Sequence, residues 1–171
     1  EFRRGGNKFD KEPFETDITE QTKHVINSGG LTYDLFWKEY KHKLSFYTSA
    51  QHVDRNSYYG AQQDPNAYGK TKDLTFVGGG MYTGNFEKVL FSPAVFTMGL
   101  EYQHNNMHDV MAGYNRDLKQ EVRIASAFVQ NEWKMKRFTL LAGFRLDEHN
   151  LIDHPIFSPC VNLLYKPSDA F

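Results

Sequence analysis

The stretch RFTLLAGFRLD, residues 137–147, reads at period two: Phe138, Leu140, Ala142, Phe144 and Leu146 alternate with Thr139, Leu141, Gly143, Arg145 and Asp147. Side chains on an extended chain point alternately to its two sides, so this stretch predicts a strand with one apolar and one wet face. An acid, a base and a glycine share the wet face. The same reading extends upstream. In AVFTMGLEYQH (94–104), Phe96, Met98, Leu100 and Tyr102 alternate with Thr97, Gly99, Glu101 and Gln103. In HKLSFYTSAQ (42–51), Leu44, Phe46, Thr48 and Ala50 oppose Ser45, Tyr47, Ser49 and Gln51. Downstream, FSPCVNLLYKPSD (157–169) puts Val161, Leu163 and Tyr165 on one face and ends in turn chemistry.

Three other segments are less regular. EVRIASAFVQNEWKM (121–135) offers two apolar sets, Val122, Ile124 and Phe128 or Ala125, Ala127, Val129 and Trp133, and the second is favoured. In DLTFVGGGMYTGNF (73–86), Gly78-Gly79-Gly80 reads as a bulge, a bend, or space for something packed on the backbone. The region 15–40 is one long strand or two strands joined by a hairpin at Ser28-Gly29-Gly30. No long segment sustains the spacing of an apolar helical stripe, so the chain is expected to be all-β.

The connections alternate in length. Short ones fall at 39–42, 134–137 and 166–169, with 85–93 somewhat longer. The segments 56–72, 105–119 and 149–155, rich in Asn, Asp, Gly and Tyr, read as long loops. Successive antiparallel strands place alternate connections at opposite ends of a sheet, so this pattern predicts short turns at one end and long loops at the other.

Composition narrows the function. Aromatic residues make up 15% of the 171 and hydrophobic residues 40%, which suits strands with a single apolar face. Twenty basic and 21 acidic residues give a net charge of −1, so neither nucleic acid nor an anionic surface is called for by overall charge. Cys160 is the sole cysteine, which excludes an internal disulfide and a cysteine zinc cluster. No apolar run approaches the roughly 18 residues of a transmembrane helix, a limit that does not touch membrane barrels. The opening EFRRGGNKFD has no methionine, apolar core or cleavage site of a signal peptide.

Taken in order, AFVQNEWKMKRFTLLAGFRLDEHN and FSPCVNLLYKPSD resemble the transmembrane barrel of TonB-dependent outer-membrane receptors, over about residues 20–169. In that family an F-V-Q-x-E-W strand precedes G-x-R-x-D and then S-P-x-V-N-L-x-Y-K-P-S-D. The resemblance implies an antiparallel up-and-down meander of about 7–8 strands, part of a barrel of about 22. Residues 1–19 would be a loop or partial strand, 20–171 the partial barrel, and a further strand would follow Asp169. It further implies the cell outer membrane of a Gram-negative bacterium, contact with outer-membrane lipid, a plug domain answering to the TonB system, and import of a ferric siderophore, cobalamin or glycan. Cys160 departs from the family, which carries Arg after Ser-Pro.

Site residues follow from where the aromatics fall. Trp37, Tyr40, Trp133 and Phe138 lie beside the short turns, as a membrane-interface girdle requires. Tyr58, Tyr59, Tyr68 and Tyr114 lie in the long-loop segments and are the candidate ligand contacts, with mutual packing as the competing role. His104, His108 and Asp109, and likewise Glu148, His149, Asp153 and His154, are metal-type residues, but a four-residue spacing converges only on a helix, so no metal site is expected. Glu101, Arg145 and Asp147 read as lumen-lining charge rather than catalytic groups; neither an enzyme nor a cofactor is expected. Two other classes fit the alternation. A soluble eight-stranded up-and-down barrel carrying a small apolar ligand would turn the apolar faces inward, and a surface β-domain would enclose no cavity. An excised barrel portion would keep open strand edges, and edge-to-edge self-association would follow.

Overall fold

The computed structural model describes residues 2–4, 19–60 and 64–167. The residues 5–18 and 168–171, which include Ser168 and Asp169, lie outside the described residues. The fold is an all-β antiparallel meander: β1 (Phe2–Arg4), β2 (Thr19–Trp37), β3 (His42–Gly60), β4 (Tyr68–Val89), β5 (Ser92–Met111), β6 (Arg116–Lys134), β7 (Phe138–His149) and β8 (Ile156–Tyr165). Each strand neighbours the next in sequence, giving the order β1 to β8 with no crossover. No α-helix occurs among the described residues; short 3-10 turns occupy Pro65–Ala67 and Ala112–Tyr114.

Pairing register fixes the faces. Between β6 and β7, Ala127, Val129 and Trp133 stand opposite Leu146, Phe144 and Leu140, while Ser126 and Phe128 stand opposite Asp147 and Arg145. The favoured apolar set of β6 is therefore the observed one. Between β7 and β8, Leu140, Ala142 and Leu146 meet Leu163, Val161 and Phe157, and Gly143 meets Cys160 on the wet face. β2 runs unbroken through Ser28-Gly29-Gly30, so the region holds one long strand and no hairpin there. β4 likewise continues through Gly78–Gly80.

The two halves of the strands form two compact units: one of Glu1–Gly29, Ala50–Phe76 and His104–Glu121, the other of Gly30–Ser49, Val77–Gln103 and Val122–Phe171. In the second unit burial is inverted relative to a soluble protein. Ser45 and Ser126 on the wet face are 4% and 6% exposed, whereas Phe46 and Leu100 on the apolar face are 48% and 66% exposed. Leu44 and Leu140 are half-buried. A soluble carrier would hide the apolar set, so this distribution runs against that class.

Rings gather beside the short turns of this unit. Trp37 stacks on His42 (centroids 5.5 Å apart) and His42 on Tyr82 (6.0 Å), with the Tyr82 hydroxyl hydrogen-bonded to His42 Nδ1 at 2.7 Å. Phe91 stacks on Trp133 at 5.6 Å and Phe138 on Tyr165 at 4.9 Å. Tyr40 packs against Phe36 at 5.4 Å.

The turns themselves are tighter than the composition suggests. Residues 38–41, 90–91 and 135–137 connect β2–β3, β4–β5 and β6–β7. At the opposite ends the expected long loops are mostly strand: β3 reaches Gly60, β4 starts at Tyr68, β5 reaches Met111 and β6 starts at Arg116. Only 149–155 is close to its reading. Polar composition on both faces imitates a loop, but cross-strand pairs hold these extensions together. Asn105 donates to Asp73 Oδ2 at 3.0 Å and to Thr75 at 2.8 Å, and His108 and His104 pair with Asp117 and Glu121 at 2.8 and 3.1 Å.

Candidate functional site

Two clusters of polar side chains lie on the wet face, one in each unit. In the first unit four strands each contribute one residue: Arg55 from β3, Thr71 from β4, Asp109 from β5 and Arg116 from β6. Asp109 is buried, and its carboxylate is the hub. Oδ1 accepts from the Thr71 hydroxyl at 2.5 Å and lies 3.5 Å from Arg55 Nη2, and Oδ2 lies 2.7 Å from Arg116 Nη2. Thr71 Oγ1 in turn accepts from Arg55 Nη2 at 2.8 Å. Two guanidiniums around one carboxylate leave a local excess of positive charge and fix both Arg side chains at one end.

Beside this hub opens a cleft of about 370 Å³, lined by Glu20, Arg55, Tyr58, Tyr59, Tyr114 and Arg116 among others. Three of the four candidate tyrosines are thus brought to one place. Their roles differ. Tyr58 is 2% exposed and packs on Tyr68, ring centroids 4.7 Å apart and planes inclined by 59°. Tyr59 and Tyr114, by contrast, are 47% and 60% exposed and present ring surface to solvent. Tyr68 lines a smaller neighbouring cleft of about 150 Å³ with Tyr58. The pair Tyr58–Tyr68 therefore does what the competing role describes, packing, and Tyr59 and Tyr114 remain available for contact.

Arg55, Thr71 and Arg116 are not singled out by the sequence, and Asp109 stands out there only as a metal-type residue, because each sits in or beside a stretch read as loop. Once those stretches are strands, period two puts all four on the wet face. The metal-type residues separate for the same reason. Adjacent His108 and Asp109 lie on opposite faces of β5: His108 pairs with Asp117, and Asp109 with the arginines. His149 Nδ1 accepts the Leu151 N–H at 3.0 Å. Among the described residues no three His, Cys, Asp or Glu side chains converge on a point where a metal ion would sit.

In the second unit the lumen-type charges do meet. Tyr47 donates to Glu101 Oε2 at 2.6 Å, and Arg145 donates to Glu101 Oε1 at 3.0 Å, to Asp147 Oδ1 at 2.7 Å and to Ser126 Oγ at 2.7 Å. β3, β5, β6 and β7 are linked by this one network. Both carboxylates are engaged by hydroxyl and guanidinium donors, which makes the cluster a wall brace.

The family profile described as "TonB dependent receptor-like, beta-barrel" matches residues 2–171. No curated protein matches the chain. Among solved structures the chain is similar to the siderophore receptor PirA from Pseudomonas aeruginosa, at 17% identity and a TM-score of 0.70. The likeness covers 88% of this chain and 27% of that one, and at this identity it concerns the fold.

Proposed function

The chain belongs to the TonB-dependent receptor-like β-barrel family, and from that premise we propose that it forms part of the wall of an outer-membrane receptor that captures a nutrient and passes it inward. The observation that carries this is the inverted burial of the second unit, with exposed Phe46 and Leu100 facing away from buried Ser45 and Ser126. Such a sheet is stable with hydrocarbon on its apolar side. The plug domain and TonB enter as the partners through which the whole receptor would work, and the nutrient is of the siderophore, cobalamin or glycan class.

Capture falls to the cleft beside the Asp109 hub. Tyr59 and Tyr114 supply rigid amphipathic surface at small entropic cost, and Arg55 and Arg116 supply directed donors held in place by Asp109. Tyr58 and Tyr68 shape the cleft from behind. In the complete receptor, Tyr59→Ala with Tyr114→Ala is expected to weaken ligand capture by roughly tenfold or more while the barrel still assembles, each ring contributing about 1 kcal/mol or more. Retained affinity in an assembled double variant would move the site elsewhere.

A further inference from the structure

Beside the rings of the second unit the chain places cations. Lys38 follows Trp37, Lys134 follows Trp133, Arg137 precedes Phe138 and Lys166 follows Tyr165. Residues 38–43, 86–91, 134–137 and 166 together hold eight basic and two acidic side chains, leaving twelve basic against nineteen acidic elsewhere. The excess is a property of this rim, and a chain of net charge −1 hides it.

Few of these cations are neutralised. Lys41 is 3.2 Å from Glu87, Lys43 is 3.1 Å from Asp34, and Lys134 is 3.9 Å from Glu132. Among the described residues no carboxylate pairs with Lys38, Lys88, Lys136, Arg137 or Lys166, and all five are exposed. Rings tipped with polar atoms settle at the headgroup level of a bilayer, and a Lys or Arg at the same level keeps its aliphatic stem against apolar surface and extends its charge outward. Unpaired cations at that level meet phosphate.

We infer that this rim is a docking surface for anionic phospholipid headgroups, of the phosphatidylglycerol or cardiolipin kind, in the leaflet that meets the short turns. The inference rests on the membrane-barrel reading above and adds to it a lipid preference. A zwitterionic leaflet offers the same phosphates but offsets each with a cation of its own, so the surplus charge of the rim favours an anionic one. Each cation near an anionic surface contributes roughly a fivefold preference at low ionic strength, and the effect falls away within a Debye length.

The test uses the complete receptor in nanodiscs of phosphatidylcholine with about one-fifth phosphatidylglycerol, low enough that enrichment is visible. Lipid retained after brief detergent exchange is counted by mass spectrometry. Wild type is expected to retain phosphatidylglycerol and phosphatidylcholine in a ratio at least about fivefold above that of the nanodisc, and about 0.5 M salt should abolish the excess. The variant Lys88→Gln, Lys136→Gln, Arg137→Gln, Lys166→Gln should lose it, while Lys→Arg at the three lysines should keep it. Heat-modifiable electrophoretic mobility in pure phosphatidylcholine reports the barrel separately: a wild type that does not insert there sinks the barrel reading. Insertion without enrichment, salt-sensitive binding of an acidic soluble protein in its place, or enrichment that survives the four neutralisations overturns the rim.

Discussion

Tyr47 reaches Glu101 by passing over Gly79. A Cβ built on Gly79 would stand 2.6 Å from the Tyr47 hydroxyl oxygen and 2.7 Å from the backbone carbonyl of Leu100. The ring could swing away, but the carbonyl cannot. Of the three roles the Gly78-Gly79-Gly80 run allowed, space for a packed group is the one realised at its centre. Gly79→Ala is therefore expected to cost about 1–3 kcal/mol of barrel stability, measured by denaturant titration in lipid vesicles. Gly29→Ala is the control: nothing lies within 4 Å of its added methyl, so stability should hold or rise by up to about 1 kcal/mol. The brace itself is open to a double-mutant cycle. Glu101 and Arg145 side chains are 25% and 39% exposed, so solvent screens them, and Glu101→Gln with Arg145→Met should show a coupling of about 0.5–1 kcal/mol. Additive losses would mean the two residues stabilise the wall independently.

The turn between β4 and β5 shows what pattern reading misses at the level of elements. Leu90 has φ of 60°, and the Phe91 N–H closes back on the Val89 carbonyl at 2.9 Å, a three-residue reversal that a leucine adopts only under strain. The same Val89 carbonyl also accepts the Trp133 indole N–H at 3.0 Å, so a ring from β6 holds the turn shut. Leu90→Gly should relieve the backbone and raise stability by about 1 kcal/mol, visible as a higher denaturation midpoint with unchanged slope; a loss would show that the exposed leucine is itself an anchor. Strands with one apolar face, such as β5 and β7, are legible from alternation alone. β6 is harder because Ile124 and Phe128 sit on its wet face, and pairing with β7 decides it. Where apolar residues fall among polar ones on both faces, as Met107, Val110 and Met111 do in 105–111, alternation carries no signal and strand looks like loop. The Arg55–Asp109–Arg116 hub lies in or beside such stretches, which is why the tyrosines are visible in the sequence and the grouping that holds their cleft is not.

For the whole molecule the governing fact is that the strand order is linear. β8 pairs with β7 and β1 with β2, so the first and last strands do not pair with each other, and every residue of β8 is exposed. An edge with Val161 and Leu163 at 74% and 64% exposure is a template for another strand. This chain, expressed alone and freed of detergent, is expected to self-associate, with light scattering giving a mass above one chain; a stable monomer would contradict the open sheet. Along β5 the even-numbered side chains are apolar from Phe96 to Tyr102 and become His104, Asn106 and His108 beyond it. That switch constrains how receptors of this kind can change length over evolutionary time. A single-residue insertion below Tyr102 exchanges the two faces. A deletion of two keeps the faces yet carries a histidine one rung into the apolar band. Insertions and deletions should therefore accumulate beyond His108, where the strand no longer has an apolar face to keep in phase, leaving the end that holds the tyrosine cleft as the part of the sheet free to diversify.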